Sequence, residues 1–107
     1  MSAIDQRLAE LGITLPNAPA PDANYVPFVV TGNLVFISGQ ISQDAGGLIT
    51  GQLGGGVDVE TGRKAARTCA LSLVAQLKVA LGGDIDRLKR VVKLTGFVNA
   101  APGFTDH

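Results

Sequence analysis

The sequence predicts an α+β fold, in which a mostly antiparallel sheet packs against one long helix. Three observations lead to this prediction. The chain has 107 residues, which is enough for one small domain. Its composition is 46% hydrophobic and 17% charged, as in globular proteins. Its apolar patterns follow the order helix, strand, strand, strand, helix, strand. We therefore expect a single domain over residues 1–107, beginning with a helix and a proline-rich strap over residues 1–27.

Residues 2–11 have the pattern of a short amphipathic helix. Ser2 is a suitable N-cap, and Gly12 is placed to end the helix. The predicted apolar stripe consists of Ile4, Leu8 and Leu11. The stretch LPNAPAPDANYVP follows, and its prolines at positions 16, 19, 21 and 27 favour an extended connection over a helix.

The next segments predict the first three strands of the sheet. The stretch FVVTGNLVFIS predicts a β-hairpin that turns at Gly32-Asn33, where glycine supplies a positive φ angle. The stretch DAGG, residues 44–47, predicts the next turn. The stretch LITGQL, residues 48–53, predicts a short third strand, and the GGGVD that follows it predicts a flexible connection.

A long helix is predicted over residues 59–81. Asp58 is placed to cap it, and Gly82 and Gly83 are placed to end it. Its predicted buried stripe consists of Ala66, Ala70, Leu73, Val74, Leu77 and Leu81. A turn over residues 84–88 and a strand with the sequence VVKLTGFV complete the pattern. One helix covers only one face of such a sheet, so we expect another subunit or a further segment to cover the rest.

Charge and cysteine content indicate which partners and which cellular location to expect. The nine basic and nine acidic residues cancel, so the chain has no net attraction to nucleic acid or to an anionic membrane. No apolar run has the length of a membrane span, and the first residues lack the pattern of a signal peptide. Cys69 is the only cysteine, and its apolar helical surroundings predict a buried structural thiol. These features predict a soluble, cytoplasmic protein.

The sequence contains none of the familiar catalytic motifs. Gly56 and Gly62 lack the spacing of a phosphate-binding loop. The single histidine is His107, the last residue, which disfavours both a Ser–His–acid triad and a histidine metal site. Asp84 and Asp86 have the spacing of a cap and a turn rather than of an acid/base pair. The sequence therefore identifies no catalytic residue, no metal site and no cofactor.

Ser38 and Gly39, at the end of the second predicted strand, are candidates of another kind. Ser38 has no base near it in the sequence, so it can serve a ligand only as a hydrogen-bond donor or acceptor. Gly39 has no side chain, which lets a ligand approach its backbone N–H. The alternative interpretation is a plain strand end.

Several stretches together resemble one known family. These are NYVPFVVTGNLVFISGQIS, the glycine-bearing turn after it, the helix with the pattern A-A-R-x-C-A-L-x-L, and RVVKLTGFVNAAPGFTD. They resemble the Rid proteins, or reactive intermediate deaminases, also called the YjgF-like or endoribonuclease L-PSP-like family. The resemblance covers residues 25–106, and the N-terminal helix is similar to that of a longer-armed subgroup.

The resemblance implies a chorismate-mutase-like α+β fold and a homotrimer with pockets between subunits. It also implies hydrolysis, without a cofactor, of enamines and imines such as 2-aminoacrylate to a keto acid and ammonia. Tyr25, Ser38 and Gly39 match the family's substrate-binding positions. We therefore expect a small imine, enamine or keto acid as the ligand, and neither nucleic acid nor a membrane as a partner.

The sequence departs from the family pattern at its C-terminal end. The pattern continues with a second helix and two closing strands, which carry an arginine for the substrate carboxylate and an acidic residue for the water. We therefore expect the domain to be incomplete and its hydrolysis to be impaired. One alternative is a non-catalytic trimeric module that binds a small carboxylate or another protein. An endoribonuclease or translation inhibitor is disfavoured by the neutral charge, the missing histidine and the few aromatic residues.

Overall fold

The computed structural model describes residues 2–21 and 23–107. Residues 1 and 22, which belong to the predicted N-terminal helix and proline-rich strap, therefore lie outside the described residues. The chain divides into two compact units, one comprising Met1–Gln40 with Leu71–Val91 and the other Ile41–Ala70 with Val92–His107. The elements, in chain order, are α1 (Ala3–Glu10), β1 (Phe28–Thr31), β2 (Leu34–Ile37), β3 (Gln43–Asp44), β4 (Gly47–Leu48), α2 (Val59–Ala80) and a 3₁₀ turn (Ile85–Arg87).

Helix α1 forms where the sequence predicts it. The Ser2 side chain accepts a hydrogen bond from the Asp5 backbone N–H at 3.1 Å and donates one to Asp5 Oδ2 at 2.8 Å. This exchange satisfies one of the backbone donors that every helix N-terminus leaves unpaired. Gly12, with a φ angle of +68°, lies just beyond the last turn, so the predicted cap and stop are both confirmed.

Two carboxylates from different parts of the chain hold α1 in the first unit. Asp86 accepts hydrogen bonds from the backbone N–H groups of Ala3 at 2.9 Å and Ile4 at 3.2 Å. Asp5 forms an ion pair with Lys78 of α2 at 3.1 Å. A carboxylate at a helix N-terminus is favoured by the helix dipole as well as by the N–H groups. Asp86 is therefore a cap, as its spacing suggests, but of α1 rather than of its own turn.

We expect the docking of α1 to weaken in acid. Hydrogen bonds from Ser2 and then from Lys78 hold the pKa of Asp5 below its ordinary value of 3.8. The resulting stabilisation is present above the unfolded-state pKa and is lost as the pH falls through the lower folded-state value. Thermal unfolding should therefore separate the wild type from Asp5→Asn at neutral pH, and the difference in melting temperature should shrink as the pH falls below the ordinary pKa of 3.8. Glu10→Gln, at an exposed ion pair with Arg7, is the control. A gap between wild type and Asp5→Asn that stays the same at all pH values would contradict this prediction.

Strands β1 and β2 form the predicted hairpin. Their antiparallel register pairs Phe28 with Ile37 and Thr31 with Leu34, so Gly32-Asn33 is a two-residue loop. Gly32 has a φ angle of +56°, which glycine adopts without strain. The hairpin prediction is therefore confirmed, including the reason for glycine at the turn.

Helix α2 has its predicted ends, but its predicted buried face is confirmed only in part. Asp58 Oδ1 accepts a hydrogen bond from the Thr61 N–H at 2.8 Å, and Gly82 follows the helix with a φ angle of +67°. The fully buried residues of α2 are Ser72, Ala75 and Gln76. Of the predicted stripe, Leu81 is buried and Ala66 and Ala70 are exposed. The other three members are half-buried, namely Leu73, Val74 and Leu77. Cys69, predicted to be buried, is also only half-buried. No helix within residues 2–21 and 23–107 combines the length and the apolar character needed to cross a bilayer.

The proline-rich strap explains why a polar residue is buried on α2. The Gln76 side chain is 2% exposed, and its Nε2 donates a hydrogen bond to the Pro19 carbonyl oxygen at 2.6 Å. A backbone carbonyl with no ladder partner needs such a donor when it is removed from water. Apolar periodicity carries no information about such a carbonyl, so it did not predict the burial of Gln76.

The predicted third strand, residues 48–53, is wrong for most of its length. Only Leu48 belongs to a strand, the two-residue β4 that pairs with β3. Gly51, with a φ angle of +129°, interrupts the extended backbone after it. Leu53 then forms isolated parallel bridges to Val57 and Ala100.

The glycine-rich stretch 54–56 is an ordered turn rather than a flexible connection. The N–H groups of Gly55 and Val57 both donate to the Gln52 carbonyl, at 3.0 and 3.1 Å, and Gly54 N–H donates to Val57 at 3.1 Å. The turn therefore fixes the approach to α2 within the second unit.

The strand predicted from VVKLTGFV, residues 91–98, is not formed in the described chain. These residues have neither helical nor strand structure, and all are exposed, Phe97 by 96%. A strand requires a ladder partner, and no other described residue forms a backbone hydrogen bond with this segment. Pairing starts only after it, where Leu53 N–H donates to the Asn99 carbonyl at 3.0 Å.

Candidate functional site

Ser38 is fixed by two hydrogen bonds to the segment that precedes β1. Its N–H donates to the Pro27 carbonyl at 2.9 Å, which continues the hairpin ladder one residue beyond β2. Its hydroxyl donates to the Val26 carbonyl at 2.6 Å. A serine hydroxyl has a single proton and two lone pairs. Because the proton is used by Val26, Ser38 Oγ can serve a ligand only as an acceptor.

Gly39 presents the complementary group. Its N–H has no acceptor among residues 2–21 and 23–107. A Cβ atom built on Gly39 would meet no other atom within 4 Å, so the space beside it is open. A ligand oxygen can therefore approach this donor directly.

Tyr25 lies beside the Ser38 contact. Its backbone N–H donates to the Ala23 carbonyl at 2.9 Å, and the next residue, Val26, provides the carbonyl that Ser38 binds. The Tyr25 side chain is 45% exposed, and within the described part of the chain its hydroxyl forms no hydrogen bond. The structure thus brings the Tyr25–Val26 segment to Ser38 and leaves the phenol at the surface.

Gln40 is a residue to which sequence analysis assigned no role. Its Nε2 donates to the carbonyl oxygens of Ser38 at 2.9 Å and of Gly39 at 3.3 Å. Its position two residues after Ser38 could have indicated that its side chain lies near Ser38, since alternate residues of an extended chain lie on the same side.

Within the described chain, these residues have no charged hydrogen-bond partner, and no candidate metal cluster is present. No group of three or more His, Cys, Asp or Glu side chains within residues 2–21 and 23–107 could hold a metal ion. No charged side chain in the same residues hydrogen-bonds to Tyr25, Ser38 or Gly39. An open groove of about 470 Å³ in the first unit contains none of the predicted site residues. It is lined by Asp5, Leu8, Ala9, Gly12, Ile13, Thr14, Leu15 and Lys78.

Comparison with known proteins identifies relatives in bacteria and in a protozoan. Protein TCP17 of Trypanosoma cruzi is 53% identical over 100 residues, which cover 92% of this chain and 62% of that protein. The crystal structure of Atu1372 from Agrobacterium tumefaciens superposes with a TM-score of 0.83 at 45% identity, covering 96% of this chain and 62% of that chain. A "putative endoribonuclease" from Shewanella oneidensis MR-1 has a TM-score of 0.70 at 36% identity, covering 76% of this chain and 54% of that chain.

The chain thus spans less than two thirds of the length of these relatives. It also matches, over residues 5–107, the family model described as "YjgF/chorismate_mutase-like, putative endoribonuclease". The match begins within α1 and includes the hairpin, α2 and the residues around Ser38. This chain belongs to the YjgF family and has its chorismate-mutase-like α+β fold.

Proposed function

We propose that this chain carries the substrate-binding part of a Rid-type hydrolase, which converts small enamines and imines to a keto acid and ammonia. One observation carries the proposal: just after β2, a hydrogen-bond acceptor lies next to a backbone hydrogen-bond donor that has no partner in the described chain. The acceptor is Ser38 Oγ, whose proton is used by Val26. The donor is the Gly39 N–H, which has no partner in the described chain.

This pair of groups suits the chemistry of 2-aminoacrylate. That molecule has an amino group, which donates hydrogen bonds, and a carboxylate, which accepts them. Ser38 Oγ would hold the amino nitrogen, and the Gly39 N–H would hold a carboxylate oxygen. In the reaction the enamine tautomerises to the imine, one water adds to the imine carbon, and ammonia leaves to give pyruvate. Holding the substrate in one orientation favours attack by water on a single face.

We assign this function to a homotrimer with pockets between subunits. Support comes from the hairpin, where Val29 and Phe36 form one cross-strand pair and are 52% and 57% exposed. Leu34, on the same side by strand alternation, is also exposed. Ser38 follows Phe36 by two residues, so a second subunit packed on this apolar face would border Ser38. The single free cysteine, Cys69, agrees with a cytoplasmic location.

A non-catalytic module that binds small carboxylates is the second candidate. Its support is that no charged side chain in the described residues hydrogen-bonds to Tyr25, Ser38 or Gly39. Hydrolysis benefits from a positive group at the carboxylate and from a proton carrier. A ribonuclease role, named in the description of the family model, has less support because the nine basic and nine acidic residues cancel.

We predict that the chain binds oxamate more tightly than pyruvate. Oxamate is a stable isostere of 2-aminoacrylate, with oxygen in place of the methylene group, and pyruvate has a methyl group where oxamate has the amino group. One hydrogen bond to Ser38 is worth about 0.5–1.5 kcal/mol, so the difference should be a few-fold to about tenfold. Titration calorimetry of the wild type and of Ser38→Ala measures it. The variant should bind both ligands equally, and a wild type that prefers pyruvate would contradict the proposal.

A coupled assay separates the hydrolase from the module. Serine dehydratase generates 2-aminoacrylate, semicarbazide traps it, and pyruvate release is followed with and without the chain. Faster release that depends on Ser38 supports the hydrolase. Oxamate binding without faster release supports the module, and the absence of both rules out the two candidates.

A further inference from the structure

The hairpin register leaves one hydrogen bond missing beside the candidate site. In an antiparallel pair, every second pair of opposed residues exchanges two backbone hydrogen bonds. Thr31 and Leu34 close the two-residue loop, so counting outward in steps of two makes Pro27 and Ser38 such a pair. The first bond is present, because Ser38 N–H donates to the Pro27 carbonyl at 2.9 Å. The second bond cannot form, because proline has no N–H.

The Gln40 side chain supplies the missing donor. Its Nε2 lies 2.9 Å from the Ser38 carbonyl oxygen, the atom to which residue 27 would donate if it were not proline. The same nitrogen lies 3.3 Å from the Gly39 carbonyl oxygen. Both bonds bring the amide onto the backbone of the candidate site.

The Ser38 carbonyl and the Gly39 N–H belong to the same peptide unit. The described residues contain no cis peptide bond, so in this planar unit the C=O and the N–H point in opposite directions. Holding the carbonyl toward Gln40 therefore directs the N–H away from Gln40. This N–H is the donor without an acceptor in the described chain, at a residue with open space beside it.

We propose that Gln40 is a positioning residue of the site: its amide replaces the missing Pro27 N–H, holds the Ser38–Gly39 peptide, and directs the Gly39 N–H toward the ligand. This inference rests on the proposed function for the identity of the ligand. The orientation of the peptide in the free protein does not depend on it.

The first test uses the free protein. The orientation of the Gly39 N–H is read from its residual dipolar coupling in the wild type, in Gln40→Met and in the double variant Gln40→Met/Pro27→Ala. Methionine keeps the size of the side chain and removes the donor, and the Pro27→Ala change restores a backbone N–H opposite Ser38. We expect the coupling to change in Gln40→Met and to return in the double variant. An unchanged coupling, or a change that Pro27→Ala does not reverse, would overturn the proposal.

The second test uses oxamate as the ligand. We expect Gln40→Met to weaken oxamate binding by about two- to tenfold, as for one hydrogen bond, and Pro27→Ala to restore it in the double variant. Melting temperatures show whether each variant is folded, and the rescue separates positioning from a general loss of structure. Unaltered oxamate affinity in Gln40→Met would overturn the role of Gln40. If the wild type binds no oxamate, the proposed function fails, and the dipolar couplings alone decide the role of Gln40.

Discussion

Replacing Gly51 with alanine is expected to lower the free energy of unfolding by about 2–6 kcal/mol. Gly51 has a φ angle of +129°, a backbone conformation that strains any residue with a Cβ atom. A Cβ atom at this position would also lie 2.5 Å from Val57 Cγ2. Backbone strain and overpacking each cost about 1–3 kcal/mol. The change also disturbs the Gly51 carbonyl, which accepts a hydrogen bond from Asn99 Nδ2 at 2.8 Å.

Urea unfolding measures this effect, and two further variants identify its cause. Gly96→Ala is the matched control, because Gly96 has no positive φ angle and a Cβ atom there would meet nothing within 4 Å. Val57→Ala combined with Gly51→Ala removes the close contact but keeps the backbone strain, so the double variant should lose less stability than the sum of the two single variants. Equal midpoints for Gly51→Ala and Gly96→Ala would show that the turn at Gly51 tolerates a side chain.

Local signals in the sequence were sufficient for the helix ends and the hairpin. Ser2, Gly12, Asp58 and Gly82 act on the turn next to them, through a side-chain cap or a positive φ angle. Gly32 likewise determines the hairpin through its own φ angle of +56°. Such features depend on a few neighbouring residues, so they can be read from the sequence alone.

Two of the errors occur where structure depends on distant residues. Residues 91–98 have the alternation of a strand, but a strand also requires a partner, and the described chain provides none. Gln76 is buried because of a carbonyl at Pro19, which is 57 positions away in the sequence. The error at residues 48–53 is local instead: they were predicted as a strand on their apolar content, but the positive φ angle of Gly51 within the segment interrupts it.

At the candidate site, too, local features could be predicted from the sequence and the contacts between segments could not. The ligand-binding role of Ser38 and Gly39 stays a prediction from the motif, and the hairpin places both residues just after β2. The direction of the Ser38 hydroxyl depends on the Val26 carbonyl across the hairpin, which sequence reasoning left open as donor or acceptor. Pro27 opposite Ser38 was a readable sign that another donor was needed, and Gln40 provides it.

The second large effect is expected at Gln76, where α2 binds the proline-rich strap. Gln76 is 2% exposed, and its Nε2 donates to the Pro19 carbonyl at 2.6 Å. Gln76→Leu keeps the apolar volume and leaves this carbonyl without its donor, at a cost of about 1–3 kcal/mol. Gln76→Ala also removes packed atoms, so its cost should rise to about 2–4 kcal/mol.

Urea unfolding should therefore rank the variants as wild type, Gln76→Leu and Gln76→Ala in order of falling stability. Limited proteolysis with thermolysin should cut within residues 13–26 faster in both variants, because the strap loses its bond to α2. Lys64→Ala, at an exposed position of the same helix, should change stability by less than about 0.5 kcal/mol. Pro19→Ala keeps the carbonyl that Gln76 binds, so it should resemble the wild type in the position of its cuts. A Gln76→Leu variant as stable and as resistant as the wild type would show that the strap is held by packing alone, and that the buried amide contributes nothing to its docking.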